Sequence, residues 1–158
     1  MRKPYFSYKI NDPASLSDKV RRKIRFEEID CLGIVWHGRY PSFFEDARTN
    51  LFDSYGIGYM DFYKNGILAP IKKIYIDYNR SLYFQEEITI EVILHWTEAA
   101  KINLEYIIRD SKENITTTGY TIQLMTDIKQ NIFLYPPTFY LEFLEQWKSG
   151  KFTCNKFV

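Results

Sequence analysis

Residues 40–52 read YPSFFEDARTNLF, and within them Tyr40, Phe43, Phe44, Ala47, Leu51 and Phe52 recur at helical spacing to make one wide apolar face. A helix of this kind needs an apolar partner of comparable breadth. Beyond Gly66 and Pro70 the chain offers one, because the period changes from helical to alternating. Ile74, Ile76 and Tyr78 line one side of a strand; Ile88, Ile90, Val92, Leu94 and Trp96 line another. Ile102, Leu104, Tyr106 and Ile108 follow after the turn WTEAAK, and Tyr120, Ile122 and Leu124 after the turn DSKEN. Both turns are short, so these last three long strands form an antiparallel meander.

A first strand is expected over residues 20–27, with Ile24 and Phe26 on one face. Pro41 stands in the first turn of the long helix, where a missing N–H is harmless, and Gly56 and Gly58 close the helical region. A last amphipathic helix, after Pro136 and Pro137, carries Tyr140, Phe143, Leu144 and Trp147 as a packing stripe. The expected architecture is α+β: a curved antiparallel sheet wrapped around one long central helix, with a C-terminal helix. Residues 1–19 form a polar lead-in, residues 20–135 the main domain, and residues 136–158 the final helix and tail.

With 158 residues the chain fits one domain. A formal net charge of +1 creates no global field to draw it to nucleic acid. The local exception is KVRRKIRF, residues 19–26, which is either a strand with solvated side chains or a face for an anionic ligand or partner. Cys31 and Cys154 are far apart and give no disulfide framework. No apolar run resembles a signal peptide or a bilayer span, so a reduced, cytoplasmic protein without membrane insertion is expected. No Cys and His cluster has metal-ligand spacing and no Gly-rich phosphate loop occurs, so no cofactor is expected.

The chemistry-bearing residues gather just before the long helix, in FEEIDCLGIVWHGRY. Unpaired N–H groups at a helix start, with the helix dipole behind them, stabilise a developing oxyanion. The amides from Val35 to Arg39 are the candidate donors; Pro41 has none to give. Asp30 lies a few residues upstream. It either caps a turn or does chemistry, and the residues alone leave both open. Tyr40 either lends a hydroxyl to a pocket or belongs to the core. Glu45 and Arg48, at i and i+3, pair on the helix surface. Cys31 lacks the His partner pattern of a nucleophile, and His95, opposite Leu94 and Trp96, is expected to be exposed.

The pattern D-x-x-G-I-V-x-H-x-x-Y followed by F-F-E-x-A-R is carried by Asp30, Gly33, Ile34, Val35, His37, Tyr40, Phe43, Phe44, Glu45, Ala47 and Arg48. It resembles the signature of the hot-dog-fold acyl-CoA thioesterases of the 4-hydroxybenzoyl-CoA thioesterase family, and the element order agrees over residues 20–130. The resemblance implies hydrolysis of acyl-CoA thioesters to free acid and CoA. Asp30 would be the catalytic carboxylate, with His37 orienting water, polarising the carbonyl or holding the carboxylate. Gly33, Val35, Gly38 and Tyr40 would form the oxyanion backbone and pocket. It also implies an acyl-CoA or acyl-carrier-protein substrate and a homodimer or homotetramer with sites at the subunit boundary. Some such enzymes take their acid from the central helix, which makes Glu45 a second candidate. Alternatives are a hot-dog hydratase or dehydratase, with His37 and Asp30 as its pair, and a non-catalytic acyl-thioester binding module.

One departure is visible. Many relatives read H-A-N-Y where this chain has His37, Gly38, Arg39 and Tyr40, so Arg39 either meets an anionic group of the substrate or faces solvent. Lys72, Lys73, Arg80 and Lys101 are the cations available for a carrier's nucleotide.

Overall fold

The computed structural model describes residues 4–152. Five strands form one antiparallel sheet: β1 (Leu16–Lys23), β3 (Ile71–Tyr78), β4 (Glu87–His95), β5 (Lys101–Asp110) and β6 (Ile115–Leu124), in the spatial order β1-β4-β5-β6-β3. A short ribbon pairs β2 (Ile67–Leu68) with β7 (Thr126–Asp127). The long helix α1 (Tyr40–Ser54) packs on one face of the large sheet, followed by the short α2 (Tyr59–Lys64), and α3 (Thr138–Lys148) ends the fold. This is the expected α+β arrangement.

All six apolar residues of the α1 stripe are buried. They meet Ile88, Ile90, Val92 and Leu94 from β4 and Ile102, Leu104, Tyr106 and Ile108 from β5, whose registers place Val92 opposite Tyr106 and Leu94 opposite Leu104. Burying each such side chain contributes about 1.5–3 kcal/mol, so this interface is a large share of the driving force. α3 joins the same core through Tyr140, Phe143, Leu144 and Trp147, and Trp147 Nε1 donates to the Ala14 carbonyl at 2.8 Å.

β6 departs from the simplest reading of its pattern. Tyr120, Ile122 and Leu124 do share a face, but it is the face away from α1. The helix side carries Thr117, Gly119, Thr121 and Gln123, opposite Ile108, Tyr106, Leu104 and Ile102 in turn. Gly119 explains the choice. A Cβ there would lie 2.4 Å from the Tyr75 carbonyl oxygen and 2.9 Å from the Phe44 ring, so only glycine lets Phe44 stack on Tyr106 at 4.1 Å. The outer face is partly covered by the N-terminal segment, where Tyr5 and Phe6 pack on Tyr120 at 5.1 and 5.6 Å.

Three expectations are corrected. The first strand runs over Leu16–Lys23 rather than residues 20–27, because Leu16 is buried opposite Leu94 and the chain turns at Phe26–Glu28, leaving Phe26 exposed. The helical region does not close at Gly56 and Gly58, because α2 follows them; with only Phe62 buried it is too short to show a period. His95 is buried rather than exposed: its Nε2 hydrogen-bonds Glu105 Oε2 at 2.9 Å, with the rings of Phe6 and Tyr8 beside it.

Gly119→Ala is expected to destabilise the protein by about 2 kcal/mol, the range for overpacking a close-packed site, and urea unfolding will measure it.

Candidate active site

Residues 28–36 form a tight, hairpin-like loop. The Trp36 amide donates to the Glu28 carbonyl at 2.9 Å, Ile29 bridges Val35, and the Asp30 amide donates to the Ile34 carbonyl at 2.9 Å. The Gly33 amide closes the turn on the Asp30 carbonyl at 3.0 Å, and Gly33 sits at φ +78°, a conformation that favours glycine. The Val35 amide donates to the Leu82 carbonyl, which ties the loop to the segment before β4. Within this frame Asp30 is half-buried, and its Oδ1 accepts from the Leu32 amide at 2.8 Å. The turn-capping role is therefore present, yet it uses one oxygen; Oδ2 accepts nothing from the described residues.

A single 3-10 turn, His37–Arg39, leads into α1, entered from Trp36 in extended conformation at φ −60°, ψ 130°. Of the amides expected as donors, those of Val35, Trp36 and Arg39 already serve the carbonyls of Leu82, Glu28 and Trp36. The amides of His37 and Gly38 donate to no described residue, as first-turn positions allow. The oxyanion candidates thus narrow to these two. The Gly33 and Val35 amides are taken up by the carbonyls of Asp30 and Leu82 and so shape the loop.

Side chains around this point fix the turn. Trp36 folds over Gly38, where a Cβ would lie 2.5 Å from its ring. The Tyr78 hydroxyl donates to the His37 carbonyl at 3.0 Å. Arg39 Nη2 donates to the Glu27 carbonyl at 3.0 Å, so the residue that departs from the family pattern latches the loop to the helix start. The His37 ring is exposed, 5.3 Å from that of Trp36. Tyr40 lies in the core against Tyr78 and Phe43. Burial pushes its hydroxyl up to about 12, against a smaller opposing pull from Thr117, so it stays protonated at neutral pH.

The basic stretch supplies a residue that sequence reasoning missed. Arg22 points toward the core side of β1, with its guanidinium 4.4 Å from the Phe43 ring centroid, an ion pair to the buried Glu28, and a 3.2 Å contact to Asp46 on α1. Glu28 also accepts from the Arg25 amide at 2.8 Å, so this pair staples β1, the site loop and α1 together. The signal was the shared parity of Arg22 with Ile24, which is buried. Glu45 is ion-paired with Arg48, and both border a cavity of about 660 Å³ that runs beside α1 away from its start. Neither Asp30 nor His37 lines that cavity.

Comparison with known proteins identifies the fold and the family. Residues 24–147 match the family model described as the thioesterase-like superfamily. The chain belongs to that superfamily and has its hot-dog fold. A Bacillus subtilis (strain 168) protein, YneP, provisionally named an acyl-CoA thioesterase, is 34% identical over 76 residues, which span 48% of this chain and 53% of that one. The match thus covers about half the length of that relative. The structure of a DHNA-CoA thioesterase from Staphylococcus aureus superposes with a TM-score of 0.73 at 23% identity, covering 87% of this chain and 97% of that one. Another Staphylococcus aureus protein, SAV2348, solved in complex with CoA, superposes with a TM-score of 0.74 at 10% identity over 90% of each chain. At such identities these two structures speak for the fold.

Arg22→Met is expected to leave Glu28 buried without its cation and to destabilise the protein by about 3 kcal/mol, measurable by chemical denaturation.

Proposed function

We propose that the chain hydrolyses acyl-CoA thioesters to a free acid and CoA, with Asp30 as the acting carboxylate. The observation that carries this reading is that one short loop presents a carboxylate oxygen with no donor among the described residues and, a few residues on, two amides at a helix start that donate to none of them. The names of the relatives and the CoA complex of a protein of the same fold support it.

The thioester carbonyl oxygen would accept from the His37 and Gly38 amides, with the dipole of α1 favouring the negative charge that grows on it. Oδ2 of Asp30 would then attack the carbonyl carbon, giving an anhydride that water opens, or take a proton from an attacking water. In either route the C–S bond breaks and the thiolate of CoA leaves to be protonated. The His37 ring, exposed beside the loop, is the group available to orient water. Glu45 is the weaker candidate because Arg48 holds its carboxylate.

The reading includes a homodimer or homotetramer. β3 is an edge strand of the sheet, and Ile71, Ile74, Tyr75 and Tyr78 along it are exposed, a surface that pairing with a second copy would cover. A cytoplasmic setting fits the exposed free thiol of Cys31.

Two substitutions test the site, each followed by free-thiol release from a panel of acyl-CoAs. Asp30→Asn keeps an oxygen for the Leu32 amide, so the fold is retained while turnover falls at least about a hundredfold. Turnover near wild type would remove Asp30 from the chemistry. His37→Pro deletes one oxyanion donor at a position whose preceding residue is already extended. It is expected to lower kcat by about a hundredfold or more, and His37→Ala, which keeps the amide, by much less.

A further inference from the structure

The peptide group between His37 and Gly38 ends in one of the two oxyanion candidates, the Gly38 N–H, and it is held from several sides. Its oxygen, the His37 carbonyl, accepts from the Tyr78 hydroxyl at 3.0 Å. An α-helical donor for this oxygen would be the amide four residues on, but residue 41 is proline and has none. Tyr78, the last residue of β3, supplies a donor in its stead. The Trp36 ring lies against Gly38, where a Cβ would come within 2.5 Å of it. Backbone bonds fix the residues on either side: the Trp36 amide donates to the Glu28 carbonyl and the Arg39 amide to the Trp36 carbonyl, both at 2.9 Å. The Gly38 N–H itself donates to no described residue.

A peptide group is planar and trans, so its C=O and N–H point in opposite directions and turning one turns the other. A hydrogen bond to the oxygen also polarises the amide and strengthens its N–H as a donor. We propose that Tyr78 is a positioning residue for the thioester reaction: by donating to the His37 carbonyl it aims and polarises the Gly38 N–H that receives the developing oxyanion. The inference rests on the reading of the chain as an acyl-CoA thioesterase, and adds to that site a residue 41 positions away in sequence. The hydroxyl suits the task. Burial raises it above the usual phenol range, so it keeps at neutral pH the proton it donates. Its ring packs edge-on at 4.9 Å against the buried Tyr40, the first residue of α1, which holds it beside the helix start.

Tyr78→Phe keeps that ring contact and removes only the hydroxyl. Water then solvates the exposed carbonyl without fixing its plane, so the urea midpoint is expected to stay near wild type. With the best acyl-CoA of the panel, kcat is expected to fall about tenfold at little-changed KM, less than the loss of a donor itself. A readout independent of turnover comes from isotope labelling, because the chain has two histidines and only His37 precedes a glycine. Protein made with carbonyl-13C histidine and 15N glycine therefore gives a single correlated peptide signal in NMR, that of His37–Gly38. Loss of the bond is expected to move both its carbonyl carbon and its nitrogen upfield in Tyr78→Phe. Wild-type kcat in Tyr78→Phe overturns the proposal, and so does an unmoved signal. A fall in kcat that comes with a lowered urea midpoint would mark the hydroxyl as structural and overturns it as well. No thiol release by the wild type from any acyl-CoA, with the signal still moved by the substitution, would sink the thioesterase reading and leave the hold on the peptide standing.

Discussion

The structure depends on the contact between the aromatic face of α1 and the concave side of the sheet, centred where Phe44 lies flat on Tyr106 over Gly119. Stacked rings at 4.1 Å leave no room for a side chain behind them, so β6 turns its polar and small residues toward the helix and its apolar ones outward. That inversion has two consequences. The outer face then needs cover, which the N-terminal segment partly provides, and the inner face gains Thr117, Thr121 and Gln123 as buried polar groups beside α1.

The same helix placement sets the candidate site. α1 begins after a 3-10 turn whose first two amides have no partner among the described residues, and the loop 28–36, which carries Asp30, leads directly into that turn. Rigidity comes from outside the loop: Arg22 on β1 pairs with Glu28, Tyr78 on β3 holds the His37 carbonyl, and Leu82 anchors Val35. A few polar contacts from three elements therefore hold a short stretch of backbone against the sheet, which is what an oxyanion site requires, because its donors must not relax when charge develops.

Much of the fold was legible in the sequence for a definite reason. Tyr40, Phe43, Phe44, Ala47, Leu51 and Phe52 carry period 3.6, and Ile88 through Leu94 carry period 2, so each element declares its own buried side. Where the period is weak or local the reading failed: the first strand begins at Leu16 because of its pairing with β4, and α2 is a turn and a half long. His95 sat on the expected face, but its burial came from Phe6 and Tyr8, residues nearly ninety positions away.

By itself the sequence determined the helix, the meander and the loop that carries Asp30 just ahead of a helix start, because these depend on residues close together in the chain. Only the tertiary structure decided which amides lack a partner among the described residues, since Val35 and Trp36 are satisfied by carbonyls from Leu82 and Glu28. It alone decided that Arg22 faces inward and that Arg39 latches a loop, since each partner is set by packing. It also left the buried Gln123 Oε1 with no partner among the described residues. Hydrogen-bond satisfaction is a property of three-dimensional neighbourhoods, and no periodicity in one strand encodes what the facing element will supply.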